Sequence, residues 1–474
     1  MDEILHMAAA SLLIGAYALC AALVWFAGIR ALVLWTISGR VTIAPVPAAA
    51  PALRIALLYC VADDFAPEAL RASMHQSVPV TTVILDDSRD VAKSSHIDAF
   101  AAEHLARVIR RGHRNGFKAG NLNHALRTLR GQFDAYVVLD SDTVLPRGFT
   151  AAAAAQLHAD ESLAVVQAVP DAAGPTLFAR VFGPLVGAHS LANHVARSRT
   201  GLPMFFGRGA LIRAAALDAV GGVPETVAED LALSVRLRAA GWGICIRPDL
   251  RFTETYPIDY AAFRTQVGKA AEGAAEFLRA GSVQGLRRRE RFDALVETAL
   301  LPAGALAGTG LMLTGALLSI AGAAIPAALM AATAAIALMP LLPAAATTLR
   351  RHGLVPAAIF LAAASAVYGS VALLTLRRTA HVLRGRRAVF TVTPKSTARP
   401  KAALGEVRHD LVIAAMALLA AIALHSSALA LGFAAPVGVA VILLLLRRRA
   451  SAASLPSSTG HAVARRATAV HTII

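Results

Sequence analysis

Tyr136-Val137-Val138-Leu139-Asp140-Ser141-Asp142 decides the fold, because an apolar, β-branched run the length of one strand stops on two carboxylates around a small residue. Runs of the same kind lie at Arg54 to Tyr59, Thr81 to Leu85 and Ala106 to Ile109, each ending where polar or acidic residues begin. Helical stretches separate them, and that alternation predicts a mostly parallel, Rossmann-like α/β sheet with crossover helices over about residues 41–291. Ligands of such open sheets bind beyond the carboxyl ends of the strands. Asp86-Asp87-Ser88, Asp140-Ser141-Asp142 and Glu229-Asp230 all fall at or past strand ends, which points to one shared cleft. A D-x-D suits a hard divalent cation that also takes diphosphate oxygens. Taken alone it reads as readily as a solvated loop.

Outward from this domain the chain turns apolar. Hydrophobic residues make up 56% of its 474 residues, and the mean hydropathy is +0.58. Those values call for segments that face lipid. Met7 to about Ile37 is long enough for one transmembrane helix, and Met1-Asp2-Glu3 lacks the basic region of a signal peptide, so an anchor is expected over residues 1–40. A Pro/Ala linker, Pro45 to Pro51, follows. Beyond Arg287-Arg288-Arg289 come apolar stretches at about Leu295 to Ala321, Ala324 to Ala346 and Leu354 to Leu376, then a basic loop, then Leu411 to Leu446.

The formal charge of +16 is concentrated at the ends of apolar runs, with no aromatic-basic interleaving, so it marks cytoplasmic loops and not nucleic acid. The basic loop 377–409 and the α/β domain both read as cytoplasmic, so an even number of crossings separates them. Arg350 and Arg351 also read as cytoplasmic, which leaves residues 354–376 as an interfacial or re-entrant helix. The expectation is a multi-pass protein of the inner (plasma) membrane with five spans, a membrane region over residues 292–449 and a flexible tail over 450–474. Cys20, Cys60 and Cys245 are odd in number and far apart, which predicts buried structural thiols and no disulfide framework.

Gly116-Phe117-Lys118-Ala119-Gly120-Asn121-Leu122-Asn123 precedes the helix that leads into the Asp140 strand. It resembles the K-A-G-x-L-N element of the family 2 glycosyltransferases, especially their cellulose synthase-like branch, and Asp86-Asp87-Ser88 resembles that family's D-D-G element. Tyr59 to Asp64 then stands at the first nucleotide-contacting strand end, with Asp63 as the acidic counterpart. Phe206-Gly207-Arg208-Gly209-Ala210-Leu211-Ile212-Arg213, followed by Ala228-Glu229-Asp230 and Gly241-Trp242, resembles the acceptor-side region and T-E-D motif. Phe390-Thr391-Val392-Thr393-Pro394-Lys395 resembles the F-x-V-T-x-K gating loop of cellulose synthases.

The resemblance implies a GT-A-type catalytic domain that takes a nucleotide-sugar, a UDP-sugar above others, with Mg²⁺ or Mn²⁺ as cofactor. It assigns Asp230 as general base beside Glu229, and Asp142 with Asp140 to the metal. Donor or acceptor contacts fall to Asp63, Asp86, Asp87, Lys118, Asn121, Asp140, Gln266, Lys269, Thr393 and Lys395. The acceptor is a saccharide or a lipid-linked sugar, the bilayer is a partner, and an export partner is left open. Read from the residues alone, Glu229 and Asp230 also suit the N-terminus of a helix over Leu231 to Ala239. Lys118 read the same way is an exposed cation, and Thr393 and Lys395 belong to a plain basic loop.

Gln266-Val267-Gly268-Lys269-Ala270 stands where polymerising members carry Q-x-x-R-W. Lysine keeps the charge without the planar fork, and alanine cannot offer the flat platform on which a sugar ring stacks. This departure keeps open transfer of a single sugar to a lipid carrier, and, in another class, a catalytically silent membrane scaffold that retains the fold.

Overall fold

The computed structural model describes residues 2–42, 45, 53–323, 325–388 and 415, so Thr393, Lys395 and all of the apolar block 411–446 except residue 415 lie outside the described residues. The chain divides into two compact units.

The α/β unit is built on β1 (Ile55–Val61), β2 (Thr81–Asp86), β3 (Arg107–Ile109), β4 (Ala135–Asp140), β5 (Leu163–Ala173), β6 (Ala210–Arg213) and β7 (Gly243–Thr255). They form one seven-stranded sheet in the order β3-β2-β1-β4-β6-β5-β7. β6 runs antiparallel to both β4 and β5, while every other pairing is parallel, so the sheet is mixed.

The strands read as unbroken apolar runs because both faces are covered. Ala56, Leu58, Val83, Leu85, Tyr136 and Val138 pack on one face with Leu122 and Leu233. Ile55, Leu57, Tyr59, Ile84, Val137 and Leu139 pack on the other with Phe100 and Phe149. The period-two alternation of strand side chains produces this division. In register, Val61 pairs with Asp86 and Cys60 with Asp140, so the D-D-S and D-S-D segments leave the sheet at the same edge, on either side of β1. The chain passes from β3 back across β1 to β4, which makes the gap between β1 and β4 the topological switch point.

The second unit contains most of the long apolar helices. Among the described residues, Ala8–Ser38, Arg288–Ile320, Ala327–His352 and Leu354–Leu383 are long and apolar enough to cross a membrane. Trp25 donates its indole N–H to Thr333 at 3.0 Å, and Arg30 pairs with Glu297 at 2.7 Å. The helix Tyr260–Ala280, which carries Gln266 and Lys269, belongs to this unit. The Tyr260 and Ser370 hydroxyls lie 2.7 Å apart, and Arg378 donates to Glu272 at 2.7 Å, so this helix is tied to residues 354–383. Cys20, Cys60 and Cys245 are free, and each is half-buried where the sequence predicts buried thiols.

Candidate active site

Gly116-Phe117-Lys118-Ala119-Gly120-Asn121-Leu122-Asn123 is the hub of the α/β unit. Gly116 (φ 71°) and Phe117 (φ 52°) turn the chain through left-handed conformations into the helix Phe117–Thr128. The left-handed φ of Gly116 is the backbone conformation that glycine adopts without strain, which favours glycine there. Asn123 clamps Val223 from both sides, donating to its carbonyl and accepting from its N–H at 2.8 Å each. This fastens the segment that leads to Glu229. Asn121 is buried and donates to the Leu85 carbonyl at 3.1 Å, which holds the end of β2.

Lys118 then reaches the D-S-D corner. It donates to Asp140 Oδ1 at 2.5 Å and to the Gly207 carbonyl at 2.7 Å. Its side chain is only 12% exposed, so the reading as an exposed cation does not hold. Burial by itself would lower the Lys118 pKa, yet Asp140, Cys60 and Glu229 lift it above the ordinary lysine range, so the ammonium stays charged. Burial pushes the neighbouring Cys60 thiol up to about 12, which leaves it protonated and unreactive.

The loop before β6 brings the third cluster in. Gly209 N–H donates to the Val138 carbonyl at 2.8 Å, which puts Phe206 to Gly209 beside the end of β4. A β-carbon on Gly207 would lie 3.6 Å from Asp230 Cβ, 3.8 Å from Glu229 Oε1 and 3.8 Å from Lys118 Nζ. Lys118, Asp140, Glu229 and Asp230 are thus brought together around one loop. The acids occupy the first turn of the helix Glu229–Ala239, where the dipole favours negative charge. Ser234 Oγ accepts from Phe205 N–H at 2.9 Å and donates to the Asp230 carbonyl at 2.6 Å, so that helix start is locked to the loop.

Asp142 accepts from Thr255 N–H at 3.2 Å, and Val144 bridges Thr253. Ser141 donates to Asp64 at 2.6 Å. The D-S-D turn is therefore held between the ends of β1 and β7. The oxygen donors of Asp140 and Asp142 suit Mg²⁺ or Mn²⁺ bound by one or two carboxylates and completed by phosphate. No cluster of three or more His, Cys, Asp or Glu placed to hold a metal occurs among the described residues.

Other expected site residues are tied into the strand ends by hydrogen bonds. The Asp86 side chain is 1% exposed and accepts from Ser88 N–H, Ser94 Oγ and Arg110. Burial opposes its ionisation, but hydrogen bonds from Ser88, Arg110 and Ser94 prevail and hold its pKa below the ordinary carboxylate value. Asp63 (φ 64°) accepts from the N–H groups of Arg89 and Asp90 at 2.8 and 3.0 Å, stapling the end of β1 to the loop after β2. Asp87 takes a two-pronged contact from Arg111, at 2.9 and 2.6 Å.

Sequence reading singled out neither Gln167 nor Glu254. Gln167 is fully buried, accepts from Phe206 N–H at 2.9 Å and donates to the carbonyls of Arg208 and Gly209 at 2.9 and 3.1 Å. It therefore shapes the loop. Glu254 grips Arg208. A lone acid at the end of a strand, in Thr253-Glu254-Thr255, was the available signal for Glu254; a glutamine inside an apolar strand was the signal for Gln167.

A family model described as Glycosyl transferase family group 2 matches residues 136–364. Cellulose synthase 2 of Novacetimonas hansenii is 34% identical over 166 residues, covering 34% of this chain and 10% of that protein. Glucans biosynthesis glucosyltransferase H of Rhodopseudomonas palustris is 28% identical over 174 residues, covering 32% of this chain and 23% of that protein. The matches thus span between about a tenth and a quarter of these curated relatives. Among solved structures, the chain is similar to the mannosyltransferase PcManGT from Pyrobaculum calidifontis in complex with GDP-Man and Mn²⁺, at 20% identity and a TM-score of 0.48, over 80% of this chain and 99% of that one.

Proposed function

We propose that this chain, a family 2 glycosyltransferase of the cellulose synthase-like kind, transfers a sugar from a nucleotide-sugar, a UDP-sugar first, to a growing polysaccharide with inversion at the anomeric carbon. The observation that carries this reading is Lys118, which ties Asp140 to the Gly207 carbonyl while Gly207 abuts Glu229 and Asp230. One loop thereby joins a D-x-D corner to a carboxylate at a helix start.

Asp230 acts as general base, removing the acceptor hydroxyl's proton as that oxygen attacks the anomeric carbon opposite the leaving nucleoside diphosphate. Glu229 supports it within the same helical turn. Lys118 stays protonated and neutralises charge on the donor's diphosphate region, with Asp140 holding the ammonium in place. Asp87, oriented by Arg111, contacts the nucleoside. Asp63, Asp86 and Asn121 serve the donor site indirectly, by fixing the strand ends that form it. Asp142 with Asp140 would hold Mg²⁺ or Mn²⁺, which when bound supplies charge neutralisation for the departing nucleotide. In this reading the enzyme sits in the inner membrane with its α/β domain facing the nucleotide-sugar pool of the cytoplasm, a location supported by four helices among the described residues that are long and apolar enough to cross a membrane.

A second reading, transfer of one sugar to a lipid carrier, is favoured by Ala270, which offers no stacking platform. Product size separates the two. Membranes containing the protein are incubated with labelled UDP-glucose, UDP-N-acetylglucosamine and GDP-mannose. A polymer from a UDP-sugar supports polysaccharide synthesis, a labelled glycolipid supports single transfer, and no incorporation from any donor removes the enzymatic reading.

A further inference from the structure

Arg208 is a cation built into the D-S-D corner on a loop with little freedom. Gly207 and Gly209 flank it at positive φ, 76° and 64°. Gly209 packs so closely on Phe252 that a β-carbon would come within 2.3 Å of the ring. The buried Gln167 pins the carbonyls of Arg208 and Gly209 and the N–H of Phe206. A side chain carried on such a loop loses little further freedom when it meets a ligand.

Its guanidinium is only partly consumed by this scaffold. Nε and Nη2 grip Glu254, the latter at 2.7 Å, and Nη1 donates to the Phe206 carbonyl at 2.8 Å. Of the donors an arginine carries, one N–H on each terminal nitrogen is left without a protein partner among the described residues. Glu254 already neutralises the charge, yet Nε also lies 3.8 Å from Asp140, on the carboxylate whose other oxygen holds Lys118. Two cations are thus stacked on one carboxylate at the edge where the donor diphosphate is placed. The Arg208 side chain is 24% exposed, enough for a ligand to reach it, and Glu254 beneath it only 9%.

We infer that Arg208 binds the terminal phosphate of the donor's nucleoside diphosphate, forming with Lys118 a two-cation cradle in which Glu254 sets the plane of the guanidinium. The inference rests on the nucleotide-sugar reading above and adds a diphosphate contact to it. A guanidinium fork fits two phosphate oxygens at once, which a lysine cannot do.

The full-length protein in detergent with Mg²⁺ is titrated calorimetrically with UDP and UMP, and in parallel with GDP and GMP. Arg208→Gln is expected to weaken binding of the preferred nucleoside diphosphate by about tenfold to a hundredfold, the worth of a charge-assisted hydrogen bond or two. Affinity for the matching monophosphate is expected to stay within about twofold, since the lost contact is to the second phosphate. Arg208→Lys keeps the charge without the fork, so it is expected to show a smaller loss with the same selectivity; it also carries the comparison if Arg208→Gln does not fold. Equal losses for diphosphate and monophosphate, or no loss for either, overturn the assignment while leaving the donor reading in place. A wild-type protein that binds neither UDP nor GDP overturns both.

Discussion

Asp230→Asn separates chemistry from architecture, because the substitution deletes the proposed base and almost nothing else. In the structure Asp230 Oδ1 accepts from Leu231 N–H at 2.8 Å, an interaction an asparagine carbonyl reproduces. The backbone is held independently, through the Asp230 carbonyl that accepts from Ser234 and the Ser234 hydroxyl that accepts from Phe205 N–H. What stability loses is one negative charge in the first turn of a helix, about 0.3–1 kcal/mol. What catalysis loses is a general base, about 10²- to 10⁴-fold in rate, or about 3–5 kcal/mol of barrier. The rate term is the larger by several-fold, so transfer collapses while the thermal midpoint moves by only a few degrees. The assay is single-turnover transfer from labelled UDP-sugar in detergent, with UDP affinity measured by calorimetry on the same preparation. Turnover at the wild-type rate removes Asp230 as base. Loss of UDP binding in step with activity shows instead that the carboxylate holds the donor or the fold.

Asp142→Ala is expected to raise the Mg²⁺ concentration for half-maximal UDP binding by about tenfold or more, as loss of a metal ligand should; an unchanged metal requirement would detach Asp142 from the ion. The pKa of Asp86 is held below its ordinary value of about 4, so its contribution to stability is fully present above that value and is lost as pH falls through the lower folded one. The gap in thermal midpoint between wild type and Asp86→Asn is therefore expected to be widest above about pH 5 and to close below about pH 4, and a gap independent of pH would show that ionisation of Asp86 does not stabilise the fold.

The long apolar helices and the sheet were both legible from the chain. Their signals are local: apolar length for a span, and short β-branched runs ending on polar residues for strands of a covered sheet. The candidate strand Tyr136 to Leu139 lies inside β4, Ala135–Asp140, with the carboxylates at its end. Order along the sheet was not legible, since the insertion of antiparallel β6 between β4 and β5 depends on pairings across many residues.

Within the site, sequence alone marked Gly116 to Asn123 as a functional element but could not separate the tasks of its residues. Lys118 faces the D-S-D corner, whereas Asn121, three residues on, is buried under the end of β2. Asp86 and Asp87 are neighbours in sequence with different fates. Asp86, the last residue of β2, turns into the protein and is saturated by Ser88, Ser94 and Arg110, while Asp87 is oriented by Arg111. Residue type and spacing determined which groups could carry charge. Only the tertiary structure decided which of those charges are neutralised by distant arginines and which gather around one loop, because an electrostatic partner is set by distance in space and chain separation does not encode it.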